Sequence, residues 1–286
     1  MNNVRFLSKL WLMTLFVLPG STIAIAQDVT APTGGAETES PTIDLQDLDS
    51  SDPVPPATEN PAEVVVGANE EQTSYDGVAE NRLFITAGGS VAYVDLYESS
   101  SASVESGNIS HAYLYDTSDI TISGSAEISH LTLSGNATGS LSASNVGHLT
   151  LIESSTFEIS ESAEVSHLTL EDSTQGQING GTFSFIRLQD NSEAHIRSAT
   201  LDGGSFVALD ANVSGGAITF EPGTKLNIYA QTLSFDNGQL SGTWADGRDF
   251  QFAIVQDLGN EEEGPIFEVP DAMPAAVVFH ETTTAQ

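Results

Sequence analysis

From about residue 84 onward the apolar residues fall into columns that repeat along the chain. The segment His130-Leu-Thr-Leu133 aligns with His111-Ala-Tyr-Leu114, His148-Leu-Thr-Leu151 and His167-Leu-Thr-Leu170, and the series extends to Tyr93-Val-Asp-Leu96 and Phe185-Ile-Arg-Leu188. Successive starts lie 18, 19, 18, 19 and 18 residues apart. A second column runs Val104, Ile122, Leu141, Ile159, Ile178, Ile196, and a third runs Ile109, Ile128, Val146, Val165, Phe183, Leu201. Three columns that keep one period describe a repeated unit rather than a set of independent elements.

The spacing inside the unit shows where its corners fall. From the last Leu of the first column to the second column the step is always 8 residues, whereas from second to third it alternates between 5 and 6. One corner therefore absorbs every insertion. The segments between corners are short, rich in Val, Ile, Leu, Thr and Phe, and bounded by Ser, Gly, Asn and Asp, which are strand and turn signals. A unit this small has room for three short strands and cannot bury its apolar side alone. Stacked at the strand spacing of about 4.8 Å, such units pair their backbones and share one core. The predicted class is all-β, a parallel β-solenoid of 18–19-residue coils. An antiparallel sandwich also has many short strands, but nothing in it requires one corner to recur in phase over six units.

The chain divides accordingly. Arg5 and Lys9, the apolar run Leu10 to Leu18 and the Ala24-Ile25-Ala26 site read as a signal peptide over 1–26, too short in its apolar part to span a bilayer. Residues 27–81, rich in Pro, Glu, Asp, Ser and Thr without apolar periodicity, read as an acidic disordered linker. The solenoid is expected over 82–236, with Phe206-Val-Ala-Leu209, Ile218-Thr-Phe220, Leu226-Asn-Ile228 and Leu233-Ser-Phe235 adding about two looser coils. Residues 237–286, with an Asp246-Gly247 hairpin turn between Leu240 and Phe252, are expected to cap the open end and finish in a polar tail.

Composition narrows the function. The 286 residues carry 40 Asp and Glu, 7 Lys and Arg and no Cys, a formal charge of −33. Loss of Arg5 and Lys9 with the signal would leave 5 − 40 = −35. Phosphate binding depends on Lys and Arg, so nucleic-acid binding is excluded, and no membrane span is expected after signal cleavage. Cysteine-free export suits a bacterial periplasm, cell surface or extracellular space. The coil length, the Ser, Thr, Gly and Asn corners, the signal peptide and the absence of cysteine resemble bacterial secreted β-solenoids of the filamentous-haemagglutinin and autotransporter-passenger type. That resemblance covers about residues 84 to 236 and is architectural; it implies adhesion, surface display or matrix assembly.

Two polar columns are candidate sites. In a strand where Leu131 and Leu133 point inward, His130 and Thr132 point outward, so His111, His130, His148 and His167 form a surface ladder between Tyr93 and Phe185. Imidazole nitrogens suit Zn²⁺ or Cu²⁺; the simpler reading is ring stacking, which Tyr93 and Phe185 support. Two residues after each first-column Leu stand Glu98, Asp116, Gly135, Glu153, Asp172 and Asp190. Such a carboxylate edge could share Ca²⁺, or its members could bond the backbone locally at a corner. A Thr row at Thr132, Thr150 and Thr169 is broken by Tyr113 and Arg187, too few for a flat surface-binding rank. Against catalysis, the coils hold only Arg187 and Arg197, with His195 nearby, and no nucleophile or phosphate motif. The expectation is a non-enzymatic adhesive or structural module with a glycan or a cell-surface or matrix component as partner. No cofactor is expected beyond possible Ca²⁺. The alternative is a polysaccharide lyase or glycosidase on the same scaffold.

Overall fold

The computed structural model describes residues 62–283 except 69, 161, 215–216, 221–222 and 259–266. The expected signal peptide and the first part of the expected linker lie outside the described residues. Among the described residues there is no helix. The chain winds as pairs of one short and one long strand: β1 (Glu63–Val66) and β2 (Glu71–Gly77), β3 (Arg82–Ile85) and β4 (Ser90–Leu96), β5 (Ser101–Val104) and β6 (Asn108–Leu114), β7 (Asp119–Ile122) and β8 (Glu127–Leu133). The pattern continues with β9 (Thr138–Leu141) and β10 (Asn145–Leu151), β11 (Thr156–Ile159) and β12 (Glu164–Leu170), β13 (Gln175–Ile178) and β14 (Thr182–Leu188). Each strand lies parallel on its equivalent one coil away, so that His130 pairs with His111 and His148, and Ile122 with Val104 and Leu141. This is a parallel β-solenoid.

The three apolar columns are inward, as the spacing requires. Leu114, Leu133, Leu151, Leu170 and Leu188 are fully buried, and so are Val104, Ile122, Ile178 and Ile196. Each such side chain contributes about 1.5–3 kcal/mol on leaving water. The first and third columns belong to one long strand rather than two. In β8 the pattern runs Ile128 inward, Ser129 and His130 both outward, Leu131 inward, and the pairing of β10 on β8 skips the Gly147–Ser129 step. Two consecutive outward residues reverse the alternation, so the strand bends there. At that bend the backbones approach so closely that a Cβ on Gly147 would sit 2.7 Å from the Ser129 carbonyl oxygen.

The stack begins before the expected boundary at 81. β1 and β2 already pair in register with β3 and β4. Their apolar pattern is faint because only Val66 and Tyr75 are buried there, and Gly77 occupies the place that Leu96 fills one coil on.

Beyond β15 (Glu193–Ile196) the columns continue while the chain makes excursions between them. β16 (Thr200–Ser214) lies on β14 with a bulge after Phe183, and its distal end turns back antiparallel into β17 (Ala217–Phe220). β18 (Lys225–Asp236) rejoins the short column on β15 and then pairs antiparallel with β19 (Gln239–Trp244). The expected coil segments Ile218–Phe220 and Leu233–Phe235 are thus hairpin arms. β20 (Asp249–Asp257) pairs with β19 across the Asp246-Gly247 turn, where Gly247 has φ +86°, and its second half rejoins the long column on β16. β21 (Phe267–Glu268) borders β20, and β22 (Val277–Glu281) adds a last parallel rung on β18. The C-terminal segment therefore extends the solenoid as well as folding a hairpin over it. Trp244 holds that hairpin down: it is buried, stacks on Phe250 at 3.9 Å and donates its indole N–H to the Ala199 carbonyl at 3.1 Å.

Candidate functional site

The outer surface of β4, β6, β8, β10, β12 and β14 carries the histidine column. The rings of His111, His130, His148 and His167 stack at centroid distances of 4.8, 4.9 and 4.5 Å and lie within 3–4° of parallel. Tyr93 continues the stack at 5.1 Å, while Phe185 meets His167 edge-on and leads to Phe206 and Phe267. The column is thus an aromatic ladder built by in-register pairing, since ring spacing copies the coil pitch. In parallel rings the equivalent nitrogens are separated by that same pitch and their lone pairs run side by side. Two nitrogens that share one Zn²⁺ at about 2.1 Å each cannot be more than about 4.2 Å apart, so as the rings stand they do not converge on an ion.

Stacking has an electrostatic consequence. The His148 imidazole titrates below its ordinary 6.5 because burial disfavours the cation, with His167 and His130 adding like-charge repulsion. Outward beside the ladder lie Thr132, Thr150 and Thr169 in register, flanked by Tyr113 and Arg187 as the sequence indicates. Tyr97 and Tyr115 stack in the next row at 4.9 Å.

The acidic column sits at the corner that ends each long strand, and its backbone explains its composition. Glu98, Asp116, Glu153, Asp172 and Asp190 have φ between 54° and 64°, and Gly135 has 72°. This is the left-handed region that Gly and Asp tolerate best. The carboxylates reach to the neighbouring coil. Asp116 Oδ2 accepts the Glu98 N–H at 3.1 Å, Asp172 Oδ2 accepts the Glu153 N–H at 3.0 Å, and Glu153 Oε2 accepts the Gly135 N–H at 2.6 Å together with the Ser134 hydroxyl at 3.1 Å. The edge is a ladder of backbone caps linking one coil to the next. Two residues further on, Ser100, Ser118, Ser155, Thr174 and Ser192 point inward and are fully buried. Ser100 and Ser118 each donate to the carbonyl three residues earlier at 2.7 Å. That inner hydroxyl row escapes a reading that groups all corner hydroxyls with the carboxylates; the signal for it is its constant place four residues after the last inward Leu. Among the described residues no group of three or more His, Asp or Glu is gathered about a point where an ion could sit.

Arg187 is not brought together with Arg197 and His195. Arg187 lies on the long column and pairs with the buried carboxylate of Asp257 at 2.5 Å. His195 and Arg197 face outward from the short column, where β15, β18 and β22 assemble a cluster. His195 Nδ1 lies 3.1 Å from the Tyr229 hydroxyl, the Arg197 guanidinium sits 4.7 Å above the Tyr229 ring, and His280 stacks on the other side of that ring at 4.4 Å. Arg197 is fixed by Gln177 at 2.8 Å and Asn179 at 3.3 Å, and Lys225 by Glu193 at 2.5 Å. Burial, then the Arg197 charge, holds His195 below 6.5 against the opposing pull of Glu193. Tyr229 and His280 carry no sequence signal, because irregular excursions separate β15 from β18 and β18 from β22. A polar groove of about 560 Å³ opens at the opposite corner, between Glu164, Thr182 and Thr200 and the hairpin residues Asp246 and Arg248.

Comparison with protein-family models, curated proteins and solved structures finds no match for this chain.

Proposed function

We propose that this β-solenoid is a non-enzymatic adhesive or structural module of the bacterial cell surface or extracellular space, exported by a signal peptide cleaved before Gln27 and carried on an acidic segment. The observation that supports the reading is the periodicity of its outer surface: aromatic, Thr and carboxylate rows repeat once per coil, and the corner side chains are spent on joining coils. A surface with translational repeat suits an extended partner, a glycan chain or a matrix protein, better than one small substrate. This accords with the resemblance to filamentous-haemagglutinin and autotransporter-passenger solenoids, and the calcium and transition-metal readings of the two ladders are secondary to it. The test is binding of the immobilised full chain to glycan arrays and cell-surface fractions. Saturable binding reduced by Thr132→Arg, Thr150→Arg and Thr169→Arg together supports the reading, and no retention of any fraction opposes it.

A second reading, a polysaccharide lyase, rests on the His195–Tyr229–Arg197 cluster, which places a proton-transfer pair beside a guanidinium that could neutralise a uronate carboxylate. Turnover of acidic polysaccharides, followed by the ultraviolet absorbance of unsaturated products and abolished by Tyr229→Phe, would establish it over the first.

A further inference from the structure

We infer that the histidine-bearing face is a proton-gated self-association surface whose occupant is a second copy of this chain, joined about a twofold axis parallel to the solenoid. The inference is independent of whether the module adheres to a glycan. Across each long strand the outward rows run in a constant order: the ring column, then the Thr row, then Tyr97, Tyr115, Ser134, Ile152 and Glu171, and last the carboxylate corner. One edge of the face is therefore basic when protonated and the other acidic. The two edges stand five residues apart, about 16 Å at roughly 3.3 Å per residue. A twofold axis running along the solenoid lays this face on its copy with the edges exchanged and each coil level with itself. His111 then meets the Asp116 edge, His148 the Glu153 edge and His167 the Asp172 edge, and the same three meetings recur on the other side of the axis. Both ladders copy one coil pitch, so the match holds along the whole stack. The competing axis, along the strands, would set imidazoles against imidazoles.

The area makes the contact conditional. Six coils at about 4.8 Å by about 16 Å give roughly 460 Å² per partner, below the about 800 Å² of a stable interface, so the charge pairs decide whether it forms. Counted with neutral histidines, two chains of formal charge −33 repel. Histidine as a residue type takes up its proton at a pH where carboxylates keep their charge, so acidification can make one edge cationic while the other stays anionic. The other groups facing the ladder are Tyr93 and Asp95 on β4, Tyr113 on β6, Glu127 on β8, Glu164 on β12 and Arg187 on β14. At His148 burial and the neighbouring His167 and His130 oppose the proton, so charge complementarity across the axis has to supply the gain. Asp95 itself is shifted upward by burial and then by Asp76.

The experiment is sedimentation velocity of the full chain at pH 7.5 and pH 5.5 in 150 mM salt. A monomer at pH 7.5 and a dimer at pH 5.5 is expected. The sequence pI of about 4.1 keeps the chain anionic at both values, so isoelectric precipitation is not in play. Two variants are compared: His111→Gln, His148→Gln and His167→Gln on one edge, and Asp116→Asn, Glu153→Gln and Asp172→Asn on the other. The amides keep the hydrogen-bond acceptors, and circular dichroism at pH 7.5 checks the fold. Each variant alone should dimerise at least about tenfold more weakly at pH 5.5, all six rim pairs being lost. An equimolar mixture restores three pairs on one side of the axis and should associate more strongly than either variant. Monomer at both pH values overturns the inference. So does a variant that dimerises like the parent, or a mixture no better than its components.

Discussion

Phe157 and Gly139 are a coupled pair, and substituting them singly and together tests how the core of the short-strand column is packed. In that column the first inward position reads Ala102, Ile120, Gly139, Phe157, Gly176, Ala194 from coil to coil, so the one aromatic ring stands between two glycines. Phe157 is 3% exposed, and a Cβ built on Gly139 would fall 2.3 Å from its Cε2 and 2.5 Å from its Cδ2. The ring occupies the space that the residue below it lacks. Phe157→Ala should cost about 3–5 kcal/mol, because the glycines on either side supply no side chain to fill the space. Gly139→Ala in the parent should cost about 1–3 kcal/mol by overpacking. In the Phe157→Ala background its sign should reverse: the new methyl enters the vacated volume, worth about 0.8 kcal/mol, and a strand glycine is removed, worth about 0.5–1 kcal/mol. Urea titration of the four proteins closes the cycle, with a coupling of at least about 2 kcal/mol expected. Additive single and double values, within about 0.5 kcal/mol, would refute the packing argument.

Coil equivalence makes a further test. Deleting residues 130–166 joins Ser129 to His167, which lie at equivalent positions of β8 and β12, and should leave a cooperative solenoid two coils shorter; deleting 131–147 joins His130 to His148, flips the alternation and exposes Leu149 and Leu151, so its β-sheet melting transition should be lost. Because His148 titrates below its ordinary 6.5 through burial and its ring neighbours, the folded state favours the neutral imidazole. Its contribution is whole above about pH 6.5 and is lost as pH falls through the lower folded value, so urea midpoints of dilute monomer should decline from pH 7 to 5, less steeply in His148→Gln. At the capping corner, Glu153→Ala leaves the Gly135 N–H without its acceptor and should cost about 1 kcal/mol in a thermal melt, whereas Glu153→Gln keeps the acceptor and should stay near the parent.

The coil, its period and its inward residues were legible in the sequence because parallel stacking repeats one environment every 18 or 19 residues, and a repeated environment selects the same residue types at the same places. Leu133, Ile122 and Val146 could be assigned to the core on that ground alone, and His130 to the surface by alternation. The first coil was hidden because Gly77 and the polar run Glu71-Gln-Thr-Ser dilute its pattern although its backbone pairs like the others. Three things only the tertiary structure decided. The bend between Ser129 and His130 fuses two columns into one strand; the odd step of three from Ile128 to Leu131 is written in the sequence, but only the backbone shows it to be a bend within a strand and not a corner between two. The left-handed conformation at Asp116 and Glu153 turns an acidic column into backbone caps, because a side chain's partner lies one coil away and about 18 residues distant in sequence. The meeting of His195, Tyr229 and His280 depends on excursions of 32 and 51 residues between successive rungs, such as Glu193 to Lys225 and Leu226 to Val277. A period cannot foretell such a meeting, since the chain abandons the period to make it.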